Sequence, residues 1–169
     1  MNKRFKKILE YCEKIEEADY DSYKICPPAS KEEVDKWEEE NQVILPVSYK
    51  AWLFLANGFE MGSTAEIFPL QRIEKCSFPE FEDYFVVGEY IGDGSMLLID
   101  RVGNFYEFDH AFGMEEKAFE KFLDDWVIEH LIDNLKEIGI YELTPEEKAS
   151  QEAEAQEMLK RLAEIRKNR

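Results

Sequence analysis

Cysteine, histidine and long apolar runs are what this chain has least of. The three cysteines, Cys12, Cys26 and Cys76, are an odd number at wide spacing with no C-x-x-C pair. That excludes a disulfide framework and points to free thiols in a reducing compartment. The two histidines, His110 and His130, make no zinc-binding spacing with those cysteines, so neither a metal nor another cofactor is expected. The longest apolar runs, such as 51–56, fall far short of the roughly 20 residues that a membrane-crossing helix needs. The first residues carry the Lys and Arg of a signal peptide's opening. Glu10, Glu13, Lys14, Glu16 and Glu17 then stand where its apolar segment would have to follow. A cytoplasmic protein is the expectation.

Positive charge is also scarce: 21 Lys and Arg face 38 Asp and Glu, a formal charge of −17. Between Ile15 and Thr144 there are about 30 acidic against about 10 basic side chains, so the body is more acidic than the two ends. Direct nucleic-acid binding is disfavoured by such a surface. The charge serves either solubility or the steering of a cationic partner, and composition alone does not choose. What is abundant is apolar and aromatic residues, 44% and 14% of 169 residues, enough for one substantial core and an extension.

The stretch 45–58 reads as a complete helix around which the rest can be placed. Pro46 suits the first helical position. Val47, Ala51, Phe54 and Leu55 recur at helical spacing and, with Trp52 and Leu53, predict a mostly buried element in which only Ser48 and Lys50 are wet. Asn57-Gly58 ends it. Before it, Phe5, Ile8, Leu9, Cys12 and Ile15 define an amphipathic helix over 3–17. After Pro27-Pro28, Ser30 and Glu33 form a capping box for a second helix with Val34 and Trp37 inward and Asp35, Glu38, Glu39 and Glu40 as an acidic run.

Beyond Gly58 the pattern becomes short apolar stretches punctuated by glycine. Strands are expected at 65–68, 85–90, 96–100 and 105–109, with a helical turn at 70–75 and a loop at 76–83. The glycine-rich links 92–95 and 101–104 imply an antiparallel meander. A last core helix is expected from about Glu115 to Glu137, on Phe119, Phe122, Leu123, Trp126, Val127, His130 and Leu131, with Gly139 as its stop. Thr144-Pro145-Glu146-Glu147 starts a separate helix whose stripe, Ala155, Met158, Leu159, Leu162 and Ile165, is narrow. That helix leans on the domain, pairs with another chain through 145–167, or frays.

Catalytic motifs are weak. Asp109 and His110 are adjacent, and adjacent strand residues point to opposite faces, so they form no simple dyad. Gly92-Asp93-Gly94-Ser95 lacks the spacing of a nucleophile elbow and precedes a strand rather than a helix, so it is a hairpin turn and not a phosphate loop. With 38 acidic residues some carboxylates must lie close together, so a glycosidase-like pair carries little information.

Several segments in order resemble a known family. Pro27-Pro28-Ala29-Ser30-Lys31-Glu32-Glu33-Val34 with Trp37, then Leu45-Pro46 with Tyr49 and Leu53, then Asn57-Gly58, resemble the opening of the SUKH superfamily, which includes the Smi/Knr type of yeast cell-wall regulator. The glycine-bounded segments 86–100 and 103–110, with the Asp109-His110 ending, are similar to its later strands. The likeness spans about Pro27 to Leu131 and excludes the charged segment after Thr144. It implies one α+β domain over 1–143, an antiparallel sheet packed on several helices, followed by a charged helical extension over 144–169. It also implies a non-catalytic protein-binding module, since many bacterial members are thought to be immunity proteins that neutralise toxins, often nucleases. The alternatives are a regulatory or scaffold protein of the same fold and, further off, a carboxylate-dependent hydrolase.

The expected partner is therefore a protein, in the leading reading a basic toxin domain, with neither direct nucleic-acid nor membrane contact. The candidate surface joins Glu38, Glu39 and Glu40 to Glu80, Glu82 and Asp83 and to Asp93 in the 92–95 link. Phe78 and Phe81, with Tyr84 beside them, would serve as anchors among those charges, or would seal the edge of the core.

Overall fold

The computed structural model describes residues 2–20, 22–92 and 94–145, together with Lys148, Ala149, Ala153, Gln156, Met158 and Arg161. The chain divides into two compact units, Met1–Ile138 and Gly139–Arg169. In the second, the described residues from Pro145 onward are helical, and the Lys148 amide donates to the Thr144 carbonyl. Of the expected apolar stripe there, Met158 is described and exposed; Ala155, Leu159, Leu162 and Ile165 lie outside the described residues.

The first unit is α+β. Strands β1 (Lys24–Ile25), β2 (Phe59–Met61), β3 (Ala65–Ile67), β4 (Glu74–Lys75), β5 (Phe85–Tyr90), β6 (Met96–Ile99), β7 (Phe105–Asp109) and β8 (Gly113–Lys117) make one antiparallel sheet of eight strands. The order is β1-β2-β3-β5-β6-β7-β8, with β4 paired to the start of β5. The strands expected from 65, 85, 96 and 105 are all present. The short β1, β2 and β4 carry too few residues for an alternation to show. Residues 113–117 are a strand where the last helix was expected to begin. Met114, Glu115 and Glu116 are all exposed, so the segment has no inside face to read; its ladder with β7, from Phe105–Lys117 to Asp109–Gly113, places it.

Helix α1 (Lys3–Glu17) buries Phe5, Ile8, Cys12 and Ile15, and Asn2 caps it by accepting from the Arg4 amide at 3.0 Å. Helix α2 (Lys31–Asn41) starts with the reciprocal box: Ser30 Oγ accepts from the Glu33 amide at 3.2 Å, and Glu33 Oε2 accepts from the Ser30 amide at 2.7 Å. Helix α3 differs from expectation in length and in face. It spans only Val47–Leu53, with Pro46 as its N-cap, and it buries Tyr49, Trp52 and Leu53. Val47 is 84% exposed, Ala51 is exposed and Phe54 is 44% exposed. Both faces have helical spacing, and the one with the larger aromatic surface goes inward because it removes more apolar area from water.

The last helix proceeds as α4 (Phe119–Phe122), a π segment (Leu123–Ile128) and α5 (Glu129–Glu137). The wide π turn absorbs extra chain and rotates everything after it. Ile128, Ile132 and Leu135 therefore join Val127 and Leu131 inside, while of the expected residues Trp126 is exposed and His130 half-buried.

Trp52 is the hub of the core. Its ring meets Phe5 at 5.9 Å, Phe59 at 5.9 Å and Phe119 at 6.4 Å, and Phe119 in turn meets Tyr49 at 5.1 Å and Phe105 at 5.3 Å. The far face of the sheet has a smaller core, in which Cys76, Met96 and Leu98 are covered by Phe81, Tyr84, Val86, Tyr106 and Phe108. Gly88 sits where β5 shifts register between β3 and β6; a Cβ there would strike the Glu66 carbonyl and the Leu97 side chain.

Two stability outcomes follow from this packing. Trp52→Ala should cost about 3–5 kcal/mol, and Gly88→Ala about 1–3 kcal/mol by overpacking, both read from urea unfolding midpoints. A midpoint unchanged at Gly88 would mean that the β3–β5 approach is looser than described.

Candidate functional site: an apolar groove beside an edge strand

The outward face of α3 forms the floor of a groove of about 740 Å³. Val47, Ala51, Phe54 and Leu55 line it from α3 and the turn after it. Phe5, Phe105 and Phe119 supply its inner wall, and Glu116, Lys117, Ala118 and Glu120 border it. Ile44 and Val102 extend the exposed apolar surface near α3: the Ile44 amide donates to the Arg101 carbonyl at 3.0 Å, which ties the loop before α3 to the β6–β7 turn. Contiguous exposed apolar area of this kind marks an interaction surface more often than a scattered leucine does.

The charge at the rim is one-sided. The Lys117 ammonium is already engaged by Glu107 and, at 3.3 Å, by Glu115. Among the described residues Glu116 and Glu120 are in no ion pair. An approaching partner therefore meets an apolar floor with the Glu120 carboxylate at its border, while the Glu116 side chain shares the Tyr106 face of β8, on the other side of the sheet.

The residues proposed from sequence are distributed differently. Glu38 is not a free surface charge: its side chain is 18% exposed, it accepts from the Leu45 amide at 2.6 Å, and it pairs with Lys50 at 3.0 Å. It holds the loop between α2 and α3. Glu39 and Glu40 are exposed, Glu40 facing Lys36 at 3.6 Å. Arg101 brings the Asp83 loop toward this end of α2: its Nε lies 3.7 Å from Asp83 Oδ1, and its guanidinium donates to the Asn41 carbonyl at 3.3 Å. Glu80 and Glu82 are exposed, and Phe78 is largely so. Phe81 packs against Phe108 at 4.9 Å and Tyr84 against Tyr106 at 5.3 Å, so both seal the smaller core. Asp93 lies outside the described residues. The groove was missed because the periodicity that locates α3 is satisfied by either of its faces.

Other polar groups hold structure. Asp109 Oδ1 accepts from the Ala111 and Phe112 amides at 2.6 and 3.0 Å, and the His110 ring lies against Phe108 at 5.1 Å, so the two do not act as a pair. His130 Nε2 lies 3.3 Å from the Ser22 carbonyl. Among the described residues no group of three or more His, Cys, Asp or Glu is placed to hold a metal ion, and no helix is long and apolar enough to cross a membrane. Comparison of the chain with family models, curated proteins and solved structures gives no match.

Three carboxylates titrate below the usual range: Glu33, lowered by its hydrogen bonds with Ser30 at the start of α2, and, away from that cap, Asp124 and Asp100. Arg4 grips Asp124 through two donors, at 2.6 and 2.7 Å, and lowers its pKa despite partial burial. Burial opposes ionisation of Asp100. The Asn104 and Val102 amides, the Asn104 side chain and the Tyr106 hydroxyl outweigh it and bring the pKa down. For both aspartates the unfolded chain binds the proton more readily, so stability rises with pH through this window and is lost as pH falls below about 4. Asp100→Asn and Asp124→Asn should each flatten that acid limb in denaturation series run from neutral to acid pH.

Glu38→Gln should destabilise the fold by about 1–3 kcal/mol, because it weakens the hold on a part-buried amide and ammonium. A Glu39→Lys/Glu40→Lys pair should leave the unfolding midpoint within about 0.5 kcal/mol of the parent.

Proposed function

We propose that this protein is a non-catalytic binding module of the SUKH type whose partner is another protein, in the first instance a basic toxin domain that it neutralises. The observation that carries the reading is the groove over α3: exposed Val47, Ala51 and Phe54 bordered by Glu120, which among the described residues is in no ion pair. Apolar anchors supply affinity once water is excluded, and a complementary charged rim speeds the encounter. The ordered SUKH-like segments from Pro27 to Leu131 and the acidic body point the same way. A regulatory or scaffold role would use the same surface. Hydrolysis by carboxylates fits less well, because acids would have to converge over the floor, and here they stand at the rim.

The test is to sequence the genes beside this one and, with any basic toxin domain they encode, to carry out co-purification followed by a nuclease or toxicity assay. The parent protein should bind and protect. Val47→Glu/Ala51→Glu should lose about a hundredfold in affinity, the scale of an interface hot spot. Glu120→Lys should mainly slow association and flatten its salt dependence. An adjacent toxin that the parent neither binds nor inhibits would overturn the immunity reading. Binding and protection untouched by the groove substitutions would overturn the site.

A further inference from the structure

We propose that the free edge of β8 accepts an extended, cationic segment of a partner protein as an additional strand, which then runs on into the α3 groove. The inference rests on the protein-binding reading above and names the form that the bound segment takes.

β8 closes the sheet, and it pairs with β7 on one side only. Gly113, Met114, Glu115 and Glu116 are exposed, and among the described residues no backbone hydrogen bond links this strand to any element but β7. Half of its amides and carbonyls are thus presented to the outside, which is the arrangement that strand addition uses. At the start of the strand, Phe112 is 93% exposed at the tip of the β7–β8 turn, held there by Asp109. At its end, Glu116, Lys117 and Ala118 border the groove, so edge and groove are one continuous track.

Charge selects the occupant. Met114 and Glu116 lie on one face of β8, opposite Phe108 and Tyr106; Glu115 and Lys117 lie on the other, where Lys117 is already neutralised. An incoming strand therefore meets apolar Phe112 and Met114 and an unpaired carboxylate at Glu116. An apolar side chain opposite Met114 and a cationic one two residues further along, opposite Glu116, complement that row, since partners on one face are two residues apart and opposite charges on neighbouring strands stabilise while like charges do not. A second copy of this chain does not fit: two-fold pairing centred on the strand sets Glu115 against Glu115 or Glu116 against Glu116, in a chain of charge −17.

The experiment uses the full chain and a capped peptide repeating Val-Thr-Lys-Thr (the Lys/Val peptide), which puts Val and Lys in turn on one face, its Glu-for-Lys counterpart (the Glu/Val peptide), and the Lys/Val peptide N-methylated at alternate residues. Affinity is measured by titration, and the site is located by NMR. The Lys/Val peptide should slow amide exchange along Gly113–Lys117 and shift the methyl signals of Val47 and Leu55. The Glu/Val and N-methylated peptides should each bind at least about tenfold more weakly, as loss of charge complement or of ladder hydrogen bonds requires. Glu116→Lys should weaken the Lys/Val peptide severalfold with an unchanged unfolding midpoint. Equal binding of the N-methylated peptide, shifts confined to the groove methyls, dimerisation through β8 in sedimentation, or no binding at all would each overturn the proposal. Groove shifts without β8 protection would leave docking in the groove intact and remove only the added strand. Failure to bind the neighbouring toxin, with β8 protection retained, would do the reverse.

Discussion

The burial of Tyr49 and Trp52 against Phe59 and Phe119, with Phe105 packed behind Phe119, is the constraint on which the rest depends. A helix as short as α3 has little stability of its own and takes its orientation from packing. Once its aromatic face is fixed inward, Val47, Ala51 and Phe54 have no place but the outside. The groove is therefore the reverse side of the core. Its shape is held by α1 through Phe5 and by α4 through Phe119, so the surface is preformed and needs no ordering when a partner arrives.

The sheet works on two faces. Phe85, Val87, Leu97, Ile99 and Phe105 are buried with the helical side, while Met96 and Leu98 belong to the smaller core under the 76–84 loop. This accounts for the four consecutive buried residues of β6, which read as a continuous apolar run rather than an alternation. It also fixes Phe81 and Tyr84 as covering residues. The outer strand β8 has one edge unpaired among the described residues, and its Met114, Glu115 and Glu116 are exposed.

The acidic excess divides into carboxylates that build the fold and carboxylates left outside. Glu38 staples the α2–α3 loop, Asp100 organises the β6–β7 turn, Asp124 ties α1 to the π segment, and Glu107 holds Lys117. Each satisfies donors that would otherwise be exposed or buried without a partner. Glu39, Glu116 and Glu120 do no comparable work inside the first unit. They shape the field that another molecule encounters. A run such as Glu38-Glu39-Glu40 therefore mixes both kinds, and sequence cannot separate them, because it depends on which side chain reaches the Leu45 amide.

Local chemistry was sufficient to place α1 and α2, the capping box at Ser30, the β5–β7 meander and the general α+β class. In each of these the signal lies within a few residues: a cap, a period, a glycine-bounded run. The face of α3, the strand at 113–117, the exposure of Trp126, and the groove were decided by tertiary packing. α3 has two helical faces and only the sheet chooses between them; 113–117 has no buried side and is held by β7; and the π segment shifts a register that periodicity assumes constant. Sequence fixes what each segment can form by itself. Which of its surfaces is left for a partner is set by competition among segments for the same core.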